Sequence, residues 1–171
     1  MANIGRNIKL LIRAVWNIYL NCLCPFIISF QMNKVHSLSI HPPYVKEIRS
    51  GTKTYELRKF NPRVHRGSWV AIYETKPTMA ITTVFLAGNT LVEDPQWFWD
   101  HNHQVLGINH DDYFAYFKGK NTVFALEILQ VRTLDNPIGL AELKSMYNIH
   151  PPQGSVTLKG NIPSRILELL S

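Results

Sequence analysis

The stretch Ser50–Arg58, Ser-Gly-Thr-Lys-Thr-Tyr-Glu-Leu-Arg, gathers three charged side chains within six positions: Lys53, Glu56 and Arg58. In an extended strand, alternation puts Thr54, Glu56 and Arg58 on one face and Tyr55 and Leu57 on the other, as core residues. Strict alternation places Lys53 with Tyr55. It reaches Glu56 only if the strand proper starts after it. A guanidinium makes paired hydrogen bonds to phosphate or a base edge, an ammonium adds a point charge, and a carboxylate accepts from an amine or holds a guanidinium fork. A desolvated Lys53 beside Glu56 can also act as a base, and Lys, Arg and Glu can do acid–base work on phosphodiesters. The competing reading is a surface ion pair between Glu56 and Arg58, contributing about 0–1 kcal/mol. On spacing alone the ion pair is the commoner outcome, so the elements around the motif decide.

Val35–Ile40 alternates as a strand. His41-Pro42-Pro43 then opens a helix, since proline lacks an N–H that the first turn would leave unpaired anyway. Tyr44, Val45 and Ile48 give that helix its apolar face, and Gly51 ends it in the left-handed conformation glycine allows. Lys53–Phe60 follows as a strand. Pro62 and Gly67 punctuate a basic loop with Arg63, His65 and Arg66. Ser68–Thr75 and Met79–Ala87 are rich in β-branched and aromatic residues and read as strands. Pro95 opens a short helix through Trp97–Trp99. Asn109 caps another, with Asp111 and Asp112 in its first turn and Gly119 as its stop. Asn121–Leu134 is a long strand, Gly139–Tyr147 a helix, Pro151–Gly160 a loop with a closing strand, and Pro163–Leu170 a last helix. No regular βαβ alternation occurs, which excludes a doubly wound parallel sheet. The expected fold is α+β: a small β-barrel of five or six strands with short helices interspersed, closed so as to remove exposed edges.

The 171 residues are 46% apolar and 18% charged, a globular composition for one domain. A net charge of +6 favours anionic partners, nucleic acid or a membrane surface. The two cysteines, Cys22 and Cys24, form no disulfide framework, consistent with a reducing compartment and a cytoplasmic location. Residues 1–33 differ from the rest. They carry Arg6, Lys9 and Arg13 without an acidic residue, and Ala14–Phe30 is nearly uncharged. Three readings stand: a secretory signal, a membrane anchor through residues 8–30, and an optional extension before a start at Met32. The third is preferred, because Asn17, Asn21 and Pro25 break the apolar run. The expected division is 1–33 extension, 34–160 barrel domain, 161–171 C-terminal helix.

No phosphate-binding glycine loop, Ser-His-Asp set or dinucleotide fingerprint is present, and no cofactor is expected. His101, His103 and His110 lack a carboxylate or cysteine pattern for a metal. The aromatic group Trp97–Trp99 and Tyr113–Phe117 reads mostly as packing, with one or two rings left to stack on bases.

In this order of elements the run Gly51, Lys53, Glu56, Arg58 resembles the G-x-K-x-x-E-x-R signature of the ASCH domain, a branch of the PUA-like superfamily. The resemblance extends to Ile40–Ile48, Trp69–Pro77, Asn136–Leu140 and Pro151–Leu158. It implies a cleft beside the barrel, lined by this motif, that binds RNA or a nucleotide: Arg58 would pair with phosphate or a base edge, Lys53 would supply a point charge, and Glu56 would accept from an exocyclic amine or hold the Arg58 fork. Tyr73 would stack on a base with Thr75 nearby, Gln153 and Ser155 would close the pocket from the other end, and Arg63 and Arg66 would track the backbone. Some similar proteins resemble amidohydrolases that deacetylate a modified cytidine with a lysine, a threonine and a glutamate. Lys53 matches that lysine, but Glu56 stands where the threonine belongs. If the chain is an enzyme, Lys53 and Glu56 are the candidate catalytic pair, acting on a modified nucleoside or on RNA.

Overall fold

The computed structural model describes residues 34–170. Residues 1–33, and with them the readings on the extension, the anchor and both cysteines, lie outside the described residues. Six strands form one sheet: β1 (Val35–Ile40), β2 (Tyr55–Arg58), β3 (Trp69–Glu74), β4 (Ala80–Glu93), β5 (Val123–Gly139) and β6 (Val156–Thr157), in the order β2-β5-β4-β3-β1-β6. All neighbours pair antiparallel except β1 and β3, which run parallel in the register Ser39 to Tyr73 and Ile40 to Glu74. The helix α1 (Pro42–Arg49) lies in the β1–β2 connection. α2 (Pro95–Asn102) and α3 (His110–Phe117) join β4 to β5; α4 (Leu140–Tyr147) precedes β6 and α5 (Ile162–Glu168) follows it.

The strands alternate as the sequence pattern requires, and each face finds its own cover. Leu38, Ile40, Val70, Ile72, Phe85, Leu126 and Ile128 point into the curled sheet, capped by Val45 and Ile48 of α1. The opposite face of β3 and β4, through Ala71, Tyr73, Ile81 and Val84, packs under α4 and α5 by way of Leu143, Ile162 and Ile166. The outer face of β2 and β5 is covered by α2 and α3: Leu57 and Ala125 meet Phe98, Tyr113 and Phe117. Asn109 accepts from the Asp112 N–H, the cap the sequence indicated, and the Asp94 carboxylate, which it did not, accepts from the N–H groups of Gln96 and Trp97. β4 and β5 are longer than expected, reaching Glu93 and Gly139, with register shifts at Ile81/Thr83, Leu86/Ala87 and Ala87/Thr90. Such irregularities bend the pair and curl the sheet. The result is a half-barrel: β2 and β6 remain its edges, and its ends approach without pairing.

Candidate functional site

β6 pairs only with His36 and Ser37, so the open seam of the half-barrel lies between the uncovered end of β1 and β2, and it is bridged by a side chain instead of a ladder. Arg58 Nη2 donates to the Ser39 carbonyl oxygen at 3.0 Å and forms an ion pair with Glu56 Oε1 at 3.0 Å. Glu56 projects with Arg58 because both alternate against Tyr55 and Leu57, which face α2 and α3. Lys53 joins them because β2 starts at Tyr55: α1 ends at Arg49, Gly51 takes φ +79, and the Lys53 N–H donates to the Glu47 carbonyl. The strand alternation rule does not yet apply at Lys53. Its Nζ lies 3.9 Å from Glu56 Oε2, donates to the Leu106 carbonyl at 3.0 Å and sits 5.7 Å from the Tyr44 ring centroid. Gly107 makes room for it. Its φ is +59, and a Cβ there would stand 3.0 Å from Lys53 Cβ and 2.9 Å from Glu47 Cβ.

This is no surface ion pair. Lys53 is 4% and Glu56 6% exposed. One carboxylate is held between two cations, so the cluster carries a net positive charge away from bulk water. Burial holds the Lys53 ammonium below its ordinary pKa, opposed by Glu56 and reinforced by Arg58. Burial and the nearby carboxylates of Asp112 and Glu56 push the Tyr44 phenol up, and burial also raises Tyr116. The Arg58 fork is only partly used: its buried Nε has no acceptor among the described residues. A cavity of about 220 Å³ opens on these groups between Ser39–His41 and Glu56–Arg58, walled by Tyr44, Ile108 and Tyr116. His41, Tyr44 and Ile108 also line a second hollow of about 690 Å³, which continues past Lys76 and Asp112.

The ASCH domain model matches residues 38–148. The chain belongs to the ASCH domain family. It is 26% identical over 135 residues to an ASCH domain-containing ribonuclease of Zymomonas mobilis, covering 78% of this chain and 90% of that protein. The crystal structure of ASCH from Zymomonas mobilis superposes with a TM-score of 0.74 at 25% identity, covering 80% of this chain and 96% of the other. A serine-to-alanine mutant of ZmASCH gives the same values. The PUA-like α+β architecture expected from the sequence is the observed one, except that the sheet stops at a half-barrel and leaves β2 and β6 as edges instead of closing.

Within this ASCH fold the expected residues separate. Lys53, Glu56 and Arg58 meet in the seam. Thr75 stands at its rim, its hydroxyl 3.0 Å from His41 Nδ1. Gln153 and Ser155 follow Pro152, whose carbonyl accepts from the Ser39 hydroxyl at 2.8 Å, so their loop is moored to the same β1 residue that Arg58 grips. Arg63 is exposed, and Arg66 reaches Glu127 at 3.8 Å on the surface. The stacking role expected for Tyr73 needs correction. Its ring is 4% exposed among Val35, Ala71 and Ile81, on the face opposite Ile72, and offers no open side to a base. Sequence reasoning passed over Ser39, His41 and Ile108, and it left Tyr116 within an aromatic group from which no ring was singled out. Tyr44 read as part of the apolar face of α1, yet its ring also walls the cavity beside Lys53. Among the described residues, no group of His, Cys, Asp and Glu is placed to hold a metal ion, and no helix is long and apolar enough to cross a membrane.

Proposed function

We propose that the chain binds single-stranded RNA, with one nucleotide inserted in the seam between β1 and β2. The observation that carries this is the half-buried Arg58 fork, whose buried Nε has a donor to spare among the described residues, set beside Lys53 in a tyrosine-walled cavity. At about 220 Å³ the cavity is smaller than the 300–1,000 Å³ typical of sites that enclose a whole small ligand. It suits one base or one phosphate of a chain running outside it, and the +6 net charge supports such a partner. Bases of single-stranded RNA can be splayed out and stacked on rings such as Tyr44 and Tyr116. The test is fluorescence anisotropy with a labelled single-stranded RNA across a salt series, comparing Arg58→Met and Arg58→Lys. The expected result is at least tenfold weaker binding for Arg58→Met with folding intact by circular dichroism. Unchanged affinity in the folded variant contradicts the site.

A second reading, RNA cleavage, is favoured by the likeness to a protein named a ribonuclease and by the buried Lys53–Glu56 pair. In that reading the Glu56 carboxylate takes the 2′-hydroxyl proton as that oxygen attacks the adjacent phosphorus. Lys53, its pKa lowered by burial, gives a proton to the departing 5′ oxygen. A 2′,3′-cyclic phosphate end, lost in Lys53→Met, is the expected product; intact RNA after prolonged incubation contradicts it. Nothing in the seam favours deacetylation of cytidine: Glu56 replaces the threonine hydroxyl and is engaged on both sides by cations.

A further inference from the structure

Beyond the seam, β2 runs directly into two aromatic–cation pairs. Lys59 Nζ lies 4.3 Å from the centroid of Tyr116, and Lys120 Nζ lies 4.6 Å from the centroid of Phe60. Tyr116 walls the seam cavity and is 38% exposed; Phe60 is 72% exposed. A phenylalanine so open to water buries little apolar surface and gains little for the fold. The sequence on either side of these pairs is one-sided in charge. No carboxylate occurs between Glu56 and Glu74, a stretch holding Arg58, Lys59, Arg63 and Arg66. None occurs between Asp112 and Glu127, a stretch holding Lys118 and Lys120. The pairs cross-link these two stretches, Lys59 and Phe60 from one, Tyr116 and Lys120 from the other.

We propose that Tyr116, Phe60 and their paired lysines form a second binding surface, continuous with the seam, that holds the next nucleotides of a single-stranded RNA. This rests on the proposed function above and adds the path of the strand. The ring faces receive bases, which stack on aromatics without regard to sequence. Lys59 and Lys120 meet the phosphates between them. Duplex RNA does not fit this arrangement, because its bases are already stacked and paired.

The test measures anisotropy of labelled RNA from a mononucleotide to an eight-mer, with wild type, Phe60→Ala and Lys120→Ala. Phe60 is exposed, so its loss leaves the fold intact. Phe60→Ala is expected to weaken the eight-mer about five- to tenfold, the lower part of the range for one stacked base, and to leave the mononucleotide unchanged. Lys120→Ala is expected to reduce the slope of log affinity against log salt by about 0.7, one phosphate contact on a single strand. If Phe60→Ala and wild type bind the eight-mer equally while Arg58→Met still weakens it, the second surface is refuted and the seam stands. Tighter binding of wild type to a duplex of the same sequence refutes it as well. If wild type binds no RNA at any length, both readings fall.

Discussion

Glu56→Gln isolates the energetics of the seam. The substitution keeps the shape and leaves an amide oxygen for Arg58, but it removes the charge shared by the buried Lys53 and the half-buried Arg58. Glu56 Oε2 stands 3.9 Å from Lys53 Nζ, and its other oxygen is ion-paired with Arg58 at 3.0 Å. At that separation an ion pair near a protein surface is worth about 4 kcal/mol, less the cost of burying the carboxylate. Removing one partner of a buried pair typically costs about 3–5 kcal/mol. The lower end applies here, because Arg58 keeps its bond to the Ser39 carbonyl and Lys53 its bond to Leu106. For a folded unit of this size about 3 kcal/mol lowers Tm by roughly 10 °C. Lys53→Met/Glu56→Gln should recover most of that loss, since a buried pair replaced by neutral groups of similar volume is often nearly neutral. The pH dependence carries a sign. Lys53 binds its proton less tightly folded than unfolded, so its penalty is fully present below the lowered folded value. It is relieved as pH rises through that value toward the ordinary 10.5. Without Glu56 the folded value falls further, so the deficit of Glu56→Gln narrows as pH rises from neutral toward that limit. Thermal denaturation at pH 7 and 9.5 measures both effects. A Glu56→Gln protein melting within about 2 °C of wild type at pH 7 refutes the buried, shared carboxylate.

Other expectations concern the surrounding frame. Gly107→Ala places a Cβ at positive φ against Lys53 and Glu47, costing about 1–3 kcal/mol and weakening RNA binding in anisotropy, because Lys53 must shift. Asp94→Ala removes the acceptor for Gln96 and Trp97 N–H; calorimetry should show a loss of about 1 kcal/mol with RNA affinity unchanged. Tyr113→Phe deletes the buried hydroxyl that donates to the Pro95 carbonyl at 2.9 Å; about 1 kcal/mol should be lost in urea denaturation, again without effect on RNA.

The fold was legible where periodicity and breakers agree. The Pro-Pro helix start, the Gly51 stop and the alternation of Tyr55 and Leu57 against Glu56 and Arg58 all follow from local rules, and the structure keeps them. The ends of β4 and β5 were not legible, because bulges continue a strand past residues such as Gly88, Asn136 and Pro137 that locally argue against it. The composition of the cleft was half legible. Lys53, Glu56 and Arg58 share one short segment, so spacing brought them together. Their burial did not follow from spacing, because it depends on Leu106 and Ile108 arriving from the α2–α3 connection and on Ser39 arriving across the seam. Tyr73 illustrates the reverse failure. A tyrosine at a strand end near the motif suits stacking by type, yet parallel pairing with β1 and the cover of α4 and α5 turn its ring into the core.

The most direct test of the seam is a heteronuclear NMR titration of the full chain with a short single-stranded RNA. Shift changes should concentrate at Ser39–Tyr44 and Lys53–Arg58, extend through Tyr116 and Phe60, and leave α4 and α5 untouched. Shifts centred on α4 and α5, or none at saturating RNA, would contradict the seam as the binding site.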